Sequence, residues 1–214
     1  GGFQVMAAVT TSQPSTATLD TATNNKPRLW SIGAQYSAGP LYVSAGYEQH
    51  REFAGVGATA PGSAHDNGWH VGAAYTWGPV RFGGLYTEQK FDTAVGDLKT
   101  RNWHLGVDWT IVGPHGLRAS YTAARDMKGP AGIGSAALAG IVSGPGYRPA
   151  PGSDTGAQLW TIRYVYNFSK RTEFNAGYVK LHNDGRAAYA LGGLSSPQVG
   201  QSSSAFAISL RHTF

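Results

Sequence analysis

Along most of this chain, apolar and polar residues alternate one by one. Successive side chains of a β-strand leave on opposite faces, so this alternation predicts strands with one apolar and one wet face. Ten segments carry it: Phe3–Thr10, Leu29–Ser37, Leu41–His50, Gly68–Trp77, Val80–Lys90, Arg101–Ile111, Leu117–Ala123, Gln158–Phe168, Thr172–Lys180 and Ala205–Phe214. In the sixth, Trp103, Leu105, Val107, Trp109 and Ile111 share one parity, while His104 and Asp108 take the other. In the last, Phe206, Ile208, Leu210 and Phe214 share a parity against Ser209 and Arg211.

The connections alternate in length. Short turns at Ala38–Pro40, Gly78–Pro79, Val112–Gly116 and around Ser169–Arg171 are built from Gly, Pro and Ser, the residues hairpin turns use. The other five connections read as long loops: Thr11–Arg28, Arg51–Asn67, Phe91–Thr100, Ala124–Ala157 and Leu181–Ser204. Short turns then lie at one end of the strands and long loops at the other, which a soluble sandwich has no reason to do. Transmembrane barrels show this asymmetry, with short periplasmic turns and long extracellular loops. Segments near ten residues also match the ~9–11 that cross a bilayer on a tilt. Aromatics sit near both strand ends: Trp30, Trp69, Trp103 and Trp160 by the loops, Tyr75, Trp77, Trp109, Tyr166 and Phe168 by the turns. Two aromatic girdles are expected at the two interfaces. The fold class is therefore all-β: a transmembrane antiparallel β-barrel with ten strands in this chain, and both chain ends expected on the periplasmic side.

Composition agrees. Charged residues make up only 14% of the 214, aromatics 12%, and Gly numbers 30. Mean hydropathy is nonetheless -0.26, as expected when each strand has one wet face. No apolar run reaches the ~18 residues of a spanning helix. The net charge of +5 does not point to nucleic acid, because the 17 Lys and Arg are scattered singly. Cysteine is absent, which suits an exported protein. Gly1 already opens a strand-like segment, with no secretory signal before it, so the chain reads as a fragment.

The ending ISLRHTF, with apolar Phe206, Ile208 and Leu210 at alternate positions before a final Phe214, resembles the assembly signal of Gram-negative outer-membrane barrels. The whole chain resembles the carboxy-terminal part of a general porin of the beta-proteobacterial type. GGFQVMAAV at Gly1–Val9 resembles an internal strand of that family. AQLWTIRYVYNFSKRTEFNAGYVKLHND at Ala157–Asp184 is similar to a family hairpin, and Ile208–Phe214 to the family ending. The resemblance implies a sixteen-stranded barrel in the outer membrane, assembled as a homotrimer, that passes small hydrophilic solutes by diffusion. Residues 1–214 would then be one barrel domain lacking about six amino-terminal strands and the loop that folds inward to narrow the pore. The implied partners are the lipid bilayer and lipopolysaccharide, and the barrel-assembly machinery during biogenesis. No cofactor and no nucleic acid is implied.

Candidate chemistry lies on the polar parity. Arg81, Arg118, Arg163 and Arg211 would line a water-filled wall and favour anions, since fixed charges on such a wall bias ion entry. Reflection about the turns sets Asp108 opposite Arg118 and Glu173 opposite Arg163, which would make these local ion pairs. Arg81 and Arg211, with no acid facing them in their hairpins, would be the free lumen charges. His70 and His104 share that parity but form no compact ligand spacing, so they read as wall residues rather than metal ligands. No nucleophile elbow, metalloprotease helix or phosphate loop occurs. The Gly-rich stretch Gly129–Gly146 reads as extracellular loop. A rival reading is a closed ten-stranded barrel with protease chemistry among His65, Asp66, Asp126 and Asp184 at the rim. A third is a plugged structural or adhesive barrel.

Overall fold

The computed structural model describes residues 2–11, 28–51, 65–93, 96–130, 146–147, 151–191 and 198–213. They hold ten long strands: β1 (Gly2–Thr10), β2 (Arg28–Ala38), β3 (Leu41–Arg51), β4 (His65–Trp77), β5 (Val80–Thr93), β6 (Gly96–Thr110), β7 (His115–Ala124), β8 (Ala157–Asn167), β9 (Thr172–Asn183) and β10 (Ser203–His212). Each pairs antiparallel with its neighbour in sequence, and together they make one sheet from β1 to β10. Among the described residues β1 and β10 do not pair with each other, so the sheet is open at two edges. A two-residue pair, Gly146–Tyr147 with Ala188–Tyr189, lies outside it.

The alternation explains the strands, and the turn residues explain where they reverse. Gly39, Gly78 and Gly113 sit at φ +53, +55 and +59, the left-handed region that a side chain disfavours. The fourth turn uses no glycine. Ser169 N donates to Thr172 O at 3.2 Å, and Arg171 N donates to Ser169 Oγ at 3.1 Å.

One expected loop is not a loop. β5 and β6 stay paired through Lys90↔Lys99, Phe91↔Leu98, Asp92↔Asp97 and Thr93↔Gly96, so Phe91–Thr100 is mostly ladder. Apolar alternation fades after Lys90, so the sequence alone predicts a loop there. The strands continue because a ladder above the membrane can carry polar residues on both faces, here with a Lys90–Asp97 ion pair at 2.9 Å. β4 likewise begins at His65, so His65 and Asp66 are strand residues, not loop residues. The core of Gly129–Gly146, residues 131–145, and Phe214 lie outside the described residues.

The apolar face is uncovered. Leu105 is 55% exposed, Ile162 48% and Ile208 67%, values that a sandwich core would not leave. On that face the loop-side aromatics meet in sequence across strands: Trp30 with Tyr47, Trp69 with Tyr86, Tyr86 with Trp103, and Tyr121 with Trp160, at centroid distances of 5.1, 5.0, 4.4 and 4.2 Å. Tyr166 and Phe168 meet at the turn side. These are the two girdles of a lipid-facing wall. Apart from Val165 and Asn175, which pair near the β8–β9 turn, what is buried gathers elsewhere. Leu98, Met127, Thr155, Asn183, Ala187 and Ala188 are buried at the loop end, where segments following β7, β9 and the chain before β8 fold together. Asp126 Oδ1 accepts from Thr155 N at 2.8 Å and Gly156 N at 3.0 Å. Asn183 Nδ2 donates to Tyr189 O at 3.0 Å and Gln201 O at 2.7 Å.

The face assignment has a direct test. Leu105→Arg puts a cation on the lipid face between Trp103 and Trp109 and should cost about 2–4 kcal/mol of bilayer-inserted stability. Ser120→Arg, on the opposite face, should cost less than about 1 kcal/mol on the same scale. Unfolding in lipid vesicles, followed by heat-modifiable gel mobility, checks both. Equal losses would overturn the assignment.

Candidate functional site

The polar face curves inward, since residues from β3 to β10 line one trough of about 640 Å³. A second trough of about 1210 Å³, lined from β1 to β5, shares Tyr42 and Ser44 with it. Cross-strand register arranges the charges. Arg81, Asp108, Arg118 and Arg163 pair in turn across β5, β6, β7 and β8, forming one row. The row continues as Gly177 on β9 and Ala207 on β10. Large cationic groups thus stand on one side and nothing bulky on the other, which keeps the wall open.

Arg118 Nε donates to Asp108 Oδ1 at 3.0 Å, the pair expected from the turn at Gly113. With side chains 49% and 60% exposed, it is screened and contributes at most about 1 kcal/mol. The other expected pair does not form. The β8–β9 hairpin registers Glu173 with Asn167, and Arg163 with Gly177. The turn spans Phe168–Arg171, so its centre lies later than Phe168, and the reflection shifts with it. Glu173 instead faces Arg211 across the β9–β10 ladder, Oε1 to Nη1 3.9 Å. Arg211 therefore has an acid, whereas Arg163 has none within 4.0 Å among the described residues. Arg81 faces Thr76 and Asp108 and has no acid within 4.0 Å among the described residues.

One level toward the loops, Ser120 Oγ and Thr161 Oγ1 are 2.6 Å apart. His104 Nδ1 is 2.7 Å from Thr122 Oγ1. The His70 ring lies over Gly46, where an added Cβ would collide with its Cε1. Both His line the troughs, and His104 is held by its cross-strand neighbour Thr122. At the mouth of the larger trough, His50 Nε2 meets Glu48 Oε1 at 2.7 Å, a pair that strand parity alone made visible only as two polar neighbours. Phe206, Ile208 and Leu210 are exposed on the outer face of β10.

The four rim residues of the protease reading are split. His65 and Asp66 begin β4, whereas Asp126 follows β7 and Asp184 follows β9. Three strand spacings separate β4 from β7, roughly 15 Å. Asp126 is already engaged by backbone amides. Asp66 Oδ1 accepts from Asp92 N at 2.9 Å, and burial holds its carboxyl above the ordinary 3.8.

A model of the Gram-negative porin family matches residues 1–186. The chain is similar to outer membrane porin protein 32 of Delftia acidovorans, 27% identical over 187 residues, covering 84% of this chain and 44% of the relative. Among solved structures, an anion-selective porin from Comamonas acidovorans superposes with TM-score 0.65 at 24% identity, over 87% of this chain and 49% of that one. A loop-deletion mutant of OmpT, an outer membrane protein of Vibrio cholerae, superposes with TM-score 0.62 at 18% identity, over 98% and 58%. Both structural likenesses concern the fold. The chain spans about half the length of the relatives it matches.

Asp66 gives a signed pH prediction. Its folded pKa lies above its unfolded value, so its contribution to stability is complete below about pH 3.8 and is lost as pH rises through the folded pKa. Asp66→Asn, which keeps the Oδ1 acceptor, should raise the thermal midpoint at pH 7. The gain should vanish below about pH 3.8. A variant less stable than wild type at pH 7 would refute this.

Proposed function

Because this chain belongs to the Gram-negative porin family of the outer membrane, we propose that it forms part of the wall of a passive diffusion channel for small hydrophilic solutes and ions, with a weak preference for anions. The observation that carries the reading is the two-faced sheet: lipid-facing aromatics outside, and inside a trough whose charged row holds Arg81, Arg118 and Arg163 against Asp108 alone. A water-filled wall with excess fixed cations raises local anion concentration. Arg81 and Arg163, neither with an acid within 4.0 Å among the described residues, contribute most of that excess.

The open sheet supports further strands. Each bare ladder group in hydrocarbon costs several kcal/mol, so β1 and β10 need partners on their free edges. We infer that these residues are one barrel domain of a longer, sixteen-stranded protein, with the inward constriction loop outside this stretch. A homotrimer of such barrels fits the family. The barrel-assembly machinery would recognise the alternating end of β10 during insertion.

Planar-bilayer conductance of the native protein purified from outer membranes tests the reading. Stable steps in threes are expected, with a reversal potential of the sign for anions under a salt gradient. Arg163→Glu and Arg81→Glu should each move that potential toward cation preference without closing the channel. Folded protein that carries no current would end the channel reading, and an unmoved potential would end the role of these two arginines.

A further inference from the structure

The two troughs differ in chemistry. Arg81, Arg118 and Arg163 line the smaller one, whereas no Lys or Arg lines the larger among the described residues. The larger trough presents amides and hydroxyls instead, and cross-strand bonds hold them in place. Gln35 Nε2 donates to Gln4 Oε1 at 2.5 Å, and Tyr42 Oη donates to Gln35 Oε1 at 3.0 Å. Nearer the loops, Thr100 Oγ1 donates to Gln89 Oε1 at 3.2 Å. Each amide oxygen is thus engaged, and the amide nitrogens of Gln4 and Gln89 bond to no other described residue. They are donors left to the trough. Apolar surface lies beside them. Met6, 77% exposed, pairs with Gly33 on the same face, and the rings of Tyr42 and His70 add flat surface.

These groups select a neutral ligand. An anion would find no Lys or Arg there. A cation would find carboxylates that are already engaged: Glu48 Oε1 lies 2.7 Å from His50 Nε2, and Asp66 Oδ1 accepts from Asp92 N at 2.9 Å. Fixed amide donors beside bare apolar surface match a molecule with hydroxyls along its edges and C–H groups on its faces. Size points to an elongated one. The trough holds about 1210 Å³, more than the ~300–1,000 Å³ of a typical small-ligand pocket. Its polar rows, Gln35 with Ser44 and Ser31 with Glu48, lie four residues apart on β2 and β3, about 13 Å along the strands. Several linked sugar rings reach from one row to the other, and a single ring does not. The position on the inner wall limits the occupant to solutes that enter the pore.

We propose that the inner wall of β1–β5 is a low-affinity binding lane for neutral oligosaccharides, with Gln4, Gln35, Tyr42 and Gln89 as its hydrogen-bonding groups. The proposal rests on the channel reading and goes beyond it, since it gives one solute class a site of its own, apart from the arginine row. Weak binding of this kind draws solute into the pore and still lets it leave, the balance that conduction requires.

The test records ionic current through the native protein in planar bilayers while maltotriose is added. The sugar should reduce the current saturably, and polyethylene glycol of equal hydrodynamic size should reduce it without saturation. Gln35→Met/Gln89→Met should raise the half-saturating maltotriose concentration at least about tenfold, as expected for two lost hydrogen-bonding groups. Tyr42→Phe, which keeps the ring and removes the hydroxyl that orients Gln35, should raise it by a smaller factor. Arg81→Gln/Arg163→Gln should move the reversal potential and leave the half-saturating concentration unchanged. A block that does not saturate, equal saturable block by the polyethylene glycol, an unmoved half-saturation in the glutamine variant, or a loss of block in the arginine variant would each overturn the lane. The two readings fail separately. Current in the wild type without a saturable sugar block removes only the lane, whereas folded wild type that carries no current removes the channel.

Discussion

Everything in this sheet depends on keeping backbone hydrogen bonds closed where no water can replace them. A strand in lipid has to pair on both sides, and side-chain alternation then forces one face toward the acyl chains and one toward the interior. From β2 to β9 both sides are paired. That arrangement leaves Leu105 and Ile162 exposed with nothing above them and places Arg118 and Thr161 along a trough. At the two free edges, β1 and β10, this requirement is not met among the described strands.

The inner charges follow from the same ladder. Arg118 and Arg163 are directly opposite each other, a like-charge arrangement that is unfavourable on an exposed sheet. Asp108 relieves Arg118 from the far side, while Arg163 has no acid within 4.0 Å among the described residues. Gly177 and Ala207 complete the row without side chains that could cross the trough. This row therefore sets three arginines and one aspartate beside small residues.

Beyond the membrane the chain changes its economy. Polar groups there can bond to each other rather than only along ladders. Asp126 and Asn183 each tie two backbone groups of neighbouring segments, and Thr155, buried completely, accepts from Met127 N at 2.9 Å. The result is a folded rim at the loop end of β6–β9, where Lys128 pairs with Lys99. A few kilocalories of local hydrogen bonding at the rim thus decide how the outer surface presents charge.

The sequence by itself determined the strands, their two faces and the tight turns, because alternation and turn chemistry are local. Trp103-His104-Leu105 states which side is which without any fold in hand. It also held the Asp108–Arg118 pair, because a short hairpin fixes register between its own strands. Tertiary structure alone decided pairings across longer or shifted connections. Glu173 meets Arg211 rather than Arg163 because the turn after β8 is centred later than its aromatic suggests and because β10 arrives from a distant part of the chain. The continuation of β5 and β6 was hidden for a related reason. Above the membrane, polar residues suit both faces, so the period fades from the sequence while the backbone ladder goes on, and only the partner strand reveals it.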